Sequence, residues 1–201
     1  YIACLSRAAA RAGWEVVIAS ADKDFMQLVA PGTGLLNPND KSESIWTAAQ
    51  VRAKTGVEPE QIVDWLSLVG DSVDNIPGVP GVGPKTAVKW LTEYGSLDNL
   101  IAHAADIKGK AGENLRAALA QLPLARQLAT IKCDVPLEFR PADLVRQTPD
   151  TARLRELFHE LEFRTWLAEL GGVNAPVSAK AGSPNTQESL FGATPTVSHN
   201  N

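Results

Sequence analysis

Apolar residues recur along this chain in two periods, and where one period gives way to the other the elements divide. Ile2, Leu5, Ala9 and Ala12 fall at helical spacing, so an amphipathic helix opens the chain and Gly13 stops it. The stretch "WEVVIAS" then carries the β-branched run Val16, Val17 and Ile18, the pattern of a short buried strand that ends at Ala19 or Ser20. "DFMQLV" has the apolar spacing of one or two helical turns, and Pro31, Gly32 and Gly34 mark a loop before a second short strand in "GLLN". Helix, strand and helix in that order predict a parallel α/β layer.

Beyond Trp46 the helical period dominates. "TAAQVRAKTG" pairs Thr47 with Gln50 as a capping box and closes on Gly56. "EPEQIVDWLSLVG" sets Pro59 near a first turn, turns Ile62, Leu66 and Val69 to one face, and ends at Gly70. A segment rich in glycine and proline follows, and "PKTAVKWLTEYG" restarts a helix at Pro84 and stops it at Gly95. Ser96 caps "LDNLIAHA", and "GENLRAALAQL", "PLARQLAT" and "TPDTARLRELFHELEF" continue in helical pieces. In the last of these Thr148 is the expected cap, with Leu154, Leu157, Phe158 and Leu161 inward. From about Gly171 the sequence turns to Gly, Pro, Ser, Thr and Asn with little to bury, the composition of a disordered linker. The expected domains are therefore 1–46, the end of an α/β layer; 47–170, a mainly helical subdomain; and 171–201, the linker.

Composition changes this picture little. Of 201 residues 44% are hydrophobic and 21% charged, which suits a globular chain with a real core. No apolar run is long enough to span a bilayer and no secretory leader pattern is present, so no membrane partner is expected. Cys4 and Cys133 lie far apart without metal-ligand spacing, which fits two isolated thiols in a reducing compartment. The tryptophans Trp14, Trp65, Trp90 and Trp166 are read as packing residues, and His103, His159 and His199 as surface or tail residues. Net charge is −4, so any nucleic-acid contact must be local. The chain opens on Tyr1 within a helix, and the expectation is a piece of a longer protein.

Two clusters carry chemistry. "SADKDF", Ser20 to Phe25, stands at the carboxyl end of the expected strand, where ligand groups gather in open α/β sheets. Asp22 and Asp24 could aim oxygens at a common hard cation, or could cap the turn that follows. The second cluster is "GDSVDNIPGVPGVGPKTA", where Asp71 and Asp74 follow a helix end and again suit either metal binding or turn chemistry. Gly78, Gly81 and Gly83 let the backbone come close to a ligand, and Pro84 opens a helix whose free N–H groups, with Lys85 and Thr86, make an anion site. The spacing is not that of a nucleotide P-loop.

Taken together, "SADKDFMQLV", "GDSVDNIPGVPGVGPKTAVKWL", "YGSLDNLI", "IKGKAGENLRAAL", "LATIKCDVPLEF" and "LEFRTWL" resemble the 5′ nuclease domain of bacterial DNA polymerase I, a relative of the flap endonucleases. The resemblance covers about residues 1 to 170. It implies a partial parallel-sheet layer of the PIN and 5′-nuclease kind followed by a helix-hairpin-helix subdomain. It also implies a two-metal phosphodiesterase, using Mg²⁺ or Mn²⁺, that trims 5′ ends and cuts 5′ flaps at their junction with duplex. Asp22, Asp24 and Asp71 carry over as catalytic metal ligands, with Asp74 a further acidic position. The hairpin from Gly78 to Ala87 carries over as the element that grips DNA phosphates, with Lys85 and sometimes a K⁺ ion held by loop carbonyls.

The same resemblance implies a monomer, covalently joined to polymerase domains and acting on flapped, nicked or gapped DNA in the bacterial cytoplasm, at the nucleoid. Lys108 and Lys110 are candidate phosphate contacts or simply a solvated loop. Residues 71 to 126 hold six basic groups against six acidic, so binding is expected to be weak and salt-sensitive. The family's carboxylates upstream of this helix, and its helical arch, are absent from the chain, so feeble cleavage by the chain alone is expected. The competing reading is a non-catalytic module that binds duplex DNA, with the acidic pairs as turn caps. A small-molecule α/β enzyme is disfavoured, since no dinucleotide or nucleophile motif is present.

Overall fold

In the computed structural model, residues 1–42 and 44–172 are described. Packing divides them into one compact unit that runs from Tyr1 to Pro141 and a second that begins at Ala142. The first unit holds both the sheet and the helices through Ala129, so residues on either side of Trp46 share one core.

Helix α1 (Ile2–Arg11) leads into β1 (Val16–Ala19), which pairs in parallel with β2 (Thr33–Leu36) in the register Ile18 to Leu35. The connection is a 3₁₀ turn over Lys23–Leu28, the element read from "DFMQLV". A two-residue strand, β3 (Ile45–Trp46), adds antiparallel to β2 and ends the sheet order β1-β2-β3. Its apolar signal is too short for periodicity to find. The parallel layer is thus present but mixed.

Two expected faces differ from the observed ones. In α1 the buried residues are Ala3, Cys4, Ser6 and Ala9, while Ile2 and Ala12 are exposed. Small side chains let that face pack closely, so the inward stripe is set by size more than by hydrophobicity. In β1 only Ile18 is buried and Val17 is exposed, so this strand follows a half-buried alternation instead of being covered on both sides.

The helical part follows the expected order: α2 (Ala48–Thr55), α3 (Ile62–Val69), α4 (Pro84–Tyr94), α5 (Leu97–Ala102), α6 (Gly109–Ala118) and α7 (Leu122–Ala129). The capping box of Thr47 and Gln50 and the Ser96 cap form as read. Helix α3 is the hub, packing on α4, on α7 and on the 3₁₀ turn, with Ile62, Leu66 and Leu68 wholly buried. Its one buried carboxylate, Asp64, accepts from the Leu97 N–H at 2.9 Å and pairs with Arg126 Nε at 3.2 Å. Arg126 also holds Asp98 at 2.8 Å, so three helices meet at one satisfied charge network.

The 3₁₀ turn is tied to α7 by one side chain: Gln27 donates to the Ala129 carbonyl at 3.0 Å and accepts from the Ile131 N–H at 3.0 Å. Both thiols are free, as read. Of the tryptophans read as packing residues Trp90 is buried, whereas Trp14 and Trp166 stand half exposed.

In the second unit, α8 (Thr151–Glu160) and α9 (Arg164–Gly172) form a helical hairpin around the rings of Phe158, Phe163 and Trp166. The cap of α8 is Asp150, whose carboxylate accepts from the Arg153 N–H at 2.9 Å, in place of Thr148. A carboxylate accepts more strongly than a hydroxyl at a helix N-terminus, which explains the shift of two residues. No residue of α8 is buried, and Leu161 is exposed. The linker expected from Gly171 falls, from residue 173 on, outside the described residues, as does His199. Among the described residues no helix is long and apolar enough to cross a membrane.

Candidate metal centre and nucleic-acid interface

Both clusters read from the sequence converge on one loop that begins where α3 ends. Gly70 leaves the helix with φ of 83° and Asp71 enters a tight turn closed by reciprocal backbone bonds with Ile76, at 2.8 and 2.7 Å. Just past this turn Gly78, with φ of 64°, lies back against α3's last turn. A Cβ at Gly78 would come within 2.5 Å of the Gly70 nitrogen and of the Val69 carbonyl carbon, so only glycine fits here. The Gly70–Gly78 contact folds the carboxylates and the hairpin into a single piece of backbone.

Asp71 is the most enclosed of the acidic residues, 3% exposed. Its Oδ1 accepts from the Val73 N–H at 3.0 Å and its Oδ2 takes the Lys23 ammonium at 2.8 Å. Burial alone would raise its pKa, but the Lys23 ammonium and the Val73 N–H overcome this and hold it below the usual carboxylate range. Lys23 comes from the 3₁₀ turn, which also brings Asp24 to the site. Ligand oxygens of Asp24, Asp71 and Asp74 all lie within 4.8 Å of one another, and among the described residues theirs is the one carboxylate group so placed.

Asp24 carries the cost of that crowding. Its pKa is pushed up to about 6, first by burial and then by the negative charges of Asp22, Asp74 and Asp71. Asp22 stays outside the trio: it caps the 3₁₀ turn, accepting from the Asp24 N–H at 2.9 Å. Asp22 thus serves as a turn cap, and Asp24 lies within reach of Asp71 and Asp74. A cleft of about 500 Å³ lined by Lys23, Gly70, Asp71, Asn75 and Pro77 opens beside the trio.

A hard, oxygen-seeking divalent cation fits this donor set, which is all carboxylate and whose mutual repulsion already raises one member's pKa.

On the far side of Gly78 the backbone turns again through Gly81 and starts α4 at Pro84. Among the described residues, the N–H groups of Gly81, Gly83 and Lys85 have no hydrogen-bond partner. They cluster at the positive end of an eleven-residue helix, the arrangement that holds an anion. Gly81 and Lys85 are exposed and Gly83 and Thr86 half-buried, whereas Gly78 is buried and serves the loop's packing instead of facing a ligand.

Sequence reading missed three supports of this interface. Gln121 donates to the Gly78 carbonyl at 2.8 Å and Asn114 to the Pro80 carbonyl at 2.7 Å, bracing the hairpin from α6 and the segment after it. Lys89, exposed one turn beyond Lys85, extends the basic edge of α4; its i,i+4 spacing from Lys85 was the available signal. Lys108 and Lys110 are exposed at the start of α6, and Lys110 is paired with Glu113 at 3.2 Å.

Comparison with known proteins finds a likeness over the residues that hold the loop from Gly70 to Gly83 and the helices around it. Residues 57–152 match the family described as 5′-3′ exonuclease, C-terminal SAM fold. It is 38% identical over 189 residues to DNA polymerase I of Mycobacterium tuberculosis, covering 93% of this chain and 20% of that protein. To a 5′-3′ exonuclease of Aquifex aeolicus it is 36% identical over 180 residues, covering 90% of this chain and 61% of the relative. The chain thus spans about a fifth of the length of the DNA polymerase I relatives it matches.

Among solved structures, its fold is similar to that of the bacteriophage T5 flap endonuclease in complex with DNA and metal ions. There the TM-score is 0.58 and the identity 22%, over 63% of this chain and 47% of that one. The catalytic core of Rad2 in complex with DNA substrate gives a TM-score of 0.51 at 16% identity, over 78% and 56% of the two chains. These two likenesses concern the fold.

Proposed function

We propose that this chain carries the cation site and the DNA grip of a structure-specific 5′ nuclease, a 5′→3′ exonuclease and flap endonuclease that forms part of a DNA polymerase I. The observation that carries the reading is the single loop from Gly70 to Gly83. One side of it presents Asp71 and Asp74 to Asp24, and the other presents the unpaired N–H groups of Gly81, Gly83 and Lys85. The complex of the T5 flap endonuclease with DNA and metal ions, and that of the Rad2 catalytic core with DNA substrate, both similar in fold, support it.

In this reading Asp24, Asp71 and Asp74 hold Mg²⁺ or Mn²⁺, with Asp22 positioning Asp24. A divalent cation held there supplies Lewis acidity for a metal-activated water and for the charge that develops at a phosphodiester. The hairpin N–H groups, Lys85 and Lys89 hold phosphates of the duplex, fixing position without reading bases. Thr86 adds a hydroxyl at the same helix end, and Lys108 and Lys110 are further candidate phosphate contacts. Loop carbonyls of the hairpin are proposed to take a K⁺ ion. We place the protein in the bacterial cytoplasm, monomeric and continuous with polymerase domains. Among the described residues the carboxylates supply one cation position. A two-metal reaction needs ligands beyond it, so the chain alone should hydrolyse a 5′-flap substrate feebly or not at all.

Duplex binding without catalysis is favoured by one observation, the use of Asp22 as a cap. Fluorescence anisotropy with a labelled 5′-flap duplex, paired with a Mg²⁺-dependent cleavage assay in the parent-length protein, separates the two readings. The nuclease reading expects Asp24→Asn and Asp71→Asn to abolish cleavage and spare binding, and Lys85→Ala to weaken binding. Cleavage that survives Asp71→Asn overturns it.

A further inference from the structure

Lys23 stands between Asp22 and Asp24 in sequence, and its ammonium lies 2.8 Å from Oδ2 of Asp71. The two partners differ in environment: the Asp71 side chain is 2% exposed and that of Lys23 39%. Because Asp71 belongs to the carboxylate trio, a positive charge already stands among the oxygens suited to a divalent ion. Among the described residues Lys23 is the one basic side chain ion-paired to that trio.

An ammonium and a divalent cation at one carboxylate oxygen repel each other, and most strongly where water is excluded, so they compete for it. The more weakly held of the two yields. Lysine is suited to do so, as its strongly hydrated head rides on a flexible four-carbon stem. Asp71 need not move when it leaves, because Oδ1 stays fixed by the Val73 N–H at 3.0 Å. The cleft lined by Lys23, Gly70 and Asn75 lies open for the departing head.

We propose that Lys23 is a tethered cation that neutralises the carboxylate trio while no divalent ion is bound and leaves Asp71 when one enters, so that this lysine sets the affinity of the site. The inference rests on the cation-site reading above. It makes Lys23 a positioning residue: it keeps a crowded set of like charges, of which Asp71 is buried, folded, and it selects against ions too weakly charged to displace it.

The test is a Mn²⁺ titration of the chain at pH 8, following free Mn²⁺ by electron paramagnetic resonance, with thermal unfolding measured alongside. Lys23→Met is expected to bind Mn²⁺ roughly fivefold more tightly, the upper end of the scale of one half-exposed ion pair. Lys23→Arg, whose guanidinium still competes, should stay within about twofold of wild type. Without metal, Lys23→Met should melt below wild type, and the gap should close as Mn²⁺ saturates. Should Lys23→Met fail to fold, Lys23→Gln, which can still donate to Asp71, gives the same comparison. Unchanged or weaker binding by these neutral variants, with Asp24→Asn abolishing binding, overturns the tethered-cation role and leaves the site reading intact. If no variant and no wild-type chain binds Mn²⁺, the site reading itself falls, and the inference with it.

Discussion

Asp24 and Asp71 lie in one cluster, yet environment moves their protons in opposite directions. Asp24, raised to about 6, contributes stability that is fully present below the ordinary carboxylate value and is lost as pH rises through about 6. Asp71, depressed first against burial by Lys23, contributes stability that is present above that ordinary value and is lost as pH falls through its lowered pKa. Raising pH from 5 to 7.5 in metal-free buffer should therefore destabilise the chain at this site, and Asp24→Asn should flatten the slope. Thermal unfolding across that range is the check; an identical slope in Asp24→Asn would contradict the assignment. Mn²⁺ affinity should climb through the same window, since the cation competes with that proton. The four acidic positions were legible because short carboxylates at a strand end and after a helix stop are a recognisable pattern. What was not legible is that Asp22 caps a turn while Asp24 joins Asp71 and Asp74, because the Asp22 cap and the Lys23–Asp71 pair depend on a turn geometry and on a contact between residues 48 positions apart.

Among the elements, the loop between α3 and α4 determines how the site is joined. Gly78→Ala places a Cβ 2.5 Å from backbone atoms at φ of 64°, and should cost about 2 kcal/mol or more. Gly81→Ala, with φ of 75° and its nearest neighbour at 3.5 Å, should cost about 1 kcal/mol. Urea unfolding of the two variants tests the distinction, and equal costs would refute it. Asp64→Ala strands the Leu97 N–H and removes one of Arg126's two carboxylates. Because Arg126 is partly exposed, the expected loss is about 2 to 3 kcal/mol, measured by the same unfolding series. Helix order, caps and the glycine stops were readable from local chemistry alone. The starting point of α8, the face of α1 and the strand β3 were not, since each was decided by a competing acceptor, by side-chain size or by pairing with a distant strand.

For the whole molecule, net charge of −4 means that no long-range field draws DNA to the surface, and contact depends on a few placed groups. Binding of a 5′-flap duplex should weaken steeply with salt, and Lys85→Ala with Lys89→Ala should lower the slope of log affinity against log salt by about 1 to 2. An unchanged slope in anisotropy titrations would remove α4 from the interface. The likeness to 5′-3′ exonucleases was legible because the acidic and glycine-rich motifs occur in one order along the chain, and the shared core of sheet and helices was not, because it rests on contacts that no local pattern encodes. The central claim is that a cation site and a DNA grip are held side by side by one loop. Its most direct test loads the chain with Fe²⁺ on a labelled 5′-flap duplex and maps the radical-induced nicks after ascorbate and peroxide. The account predicts nicks clustered at the flap junction, abolished by Asp71→Asn and diminished by Lys85→Ala; nicks scattered evenly along the duplex, or unchanged in Asp71→Asn, would contradict it.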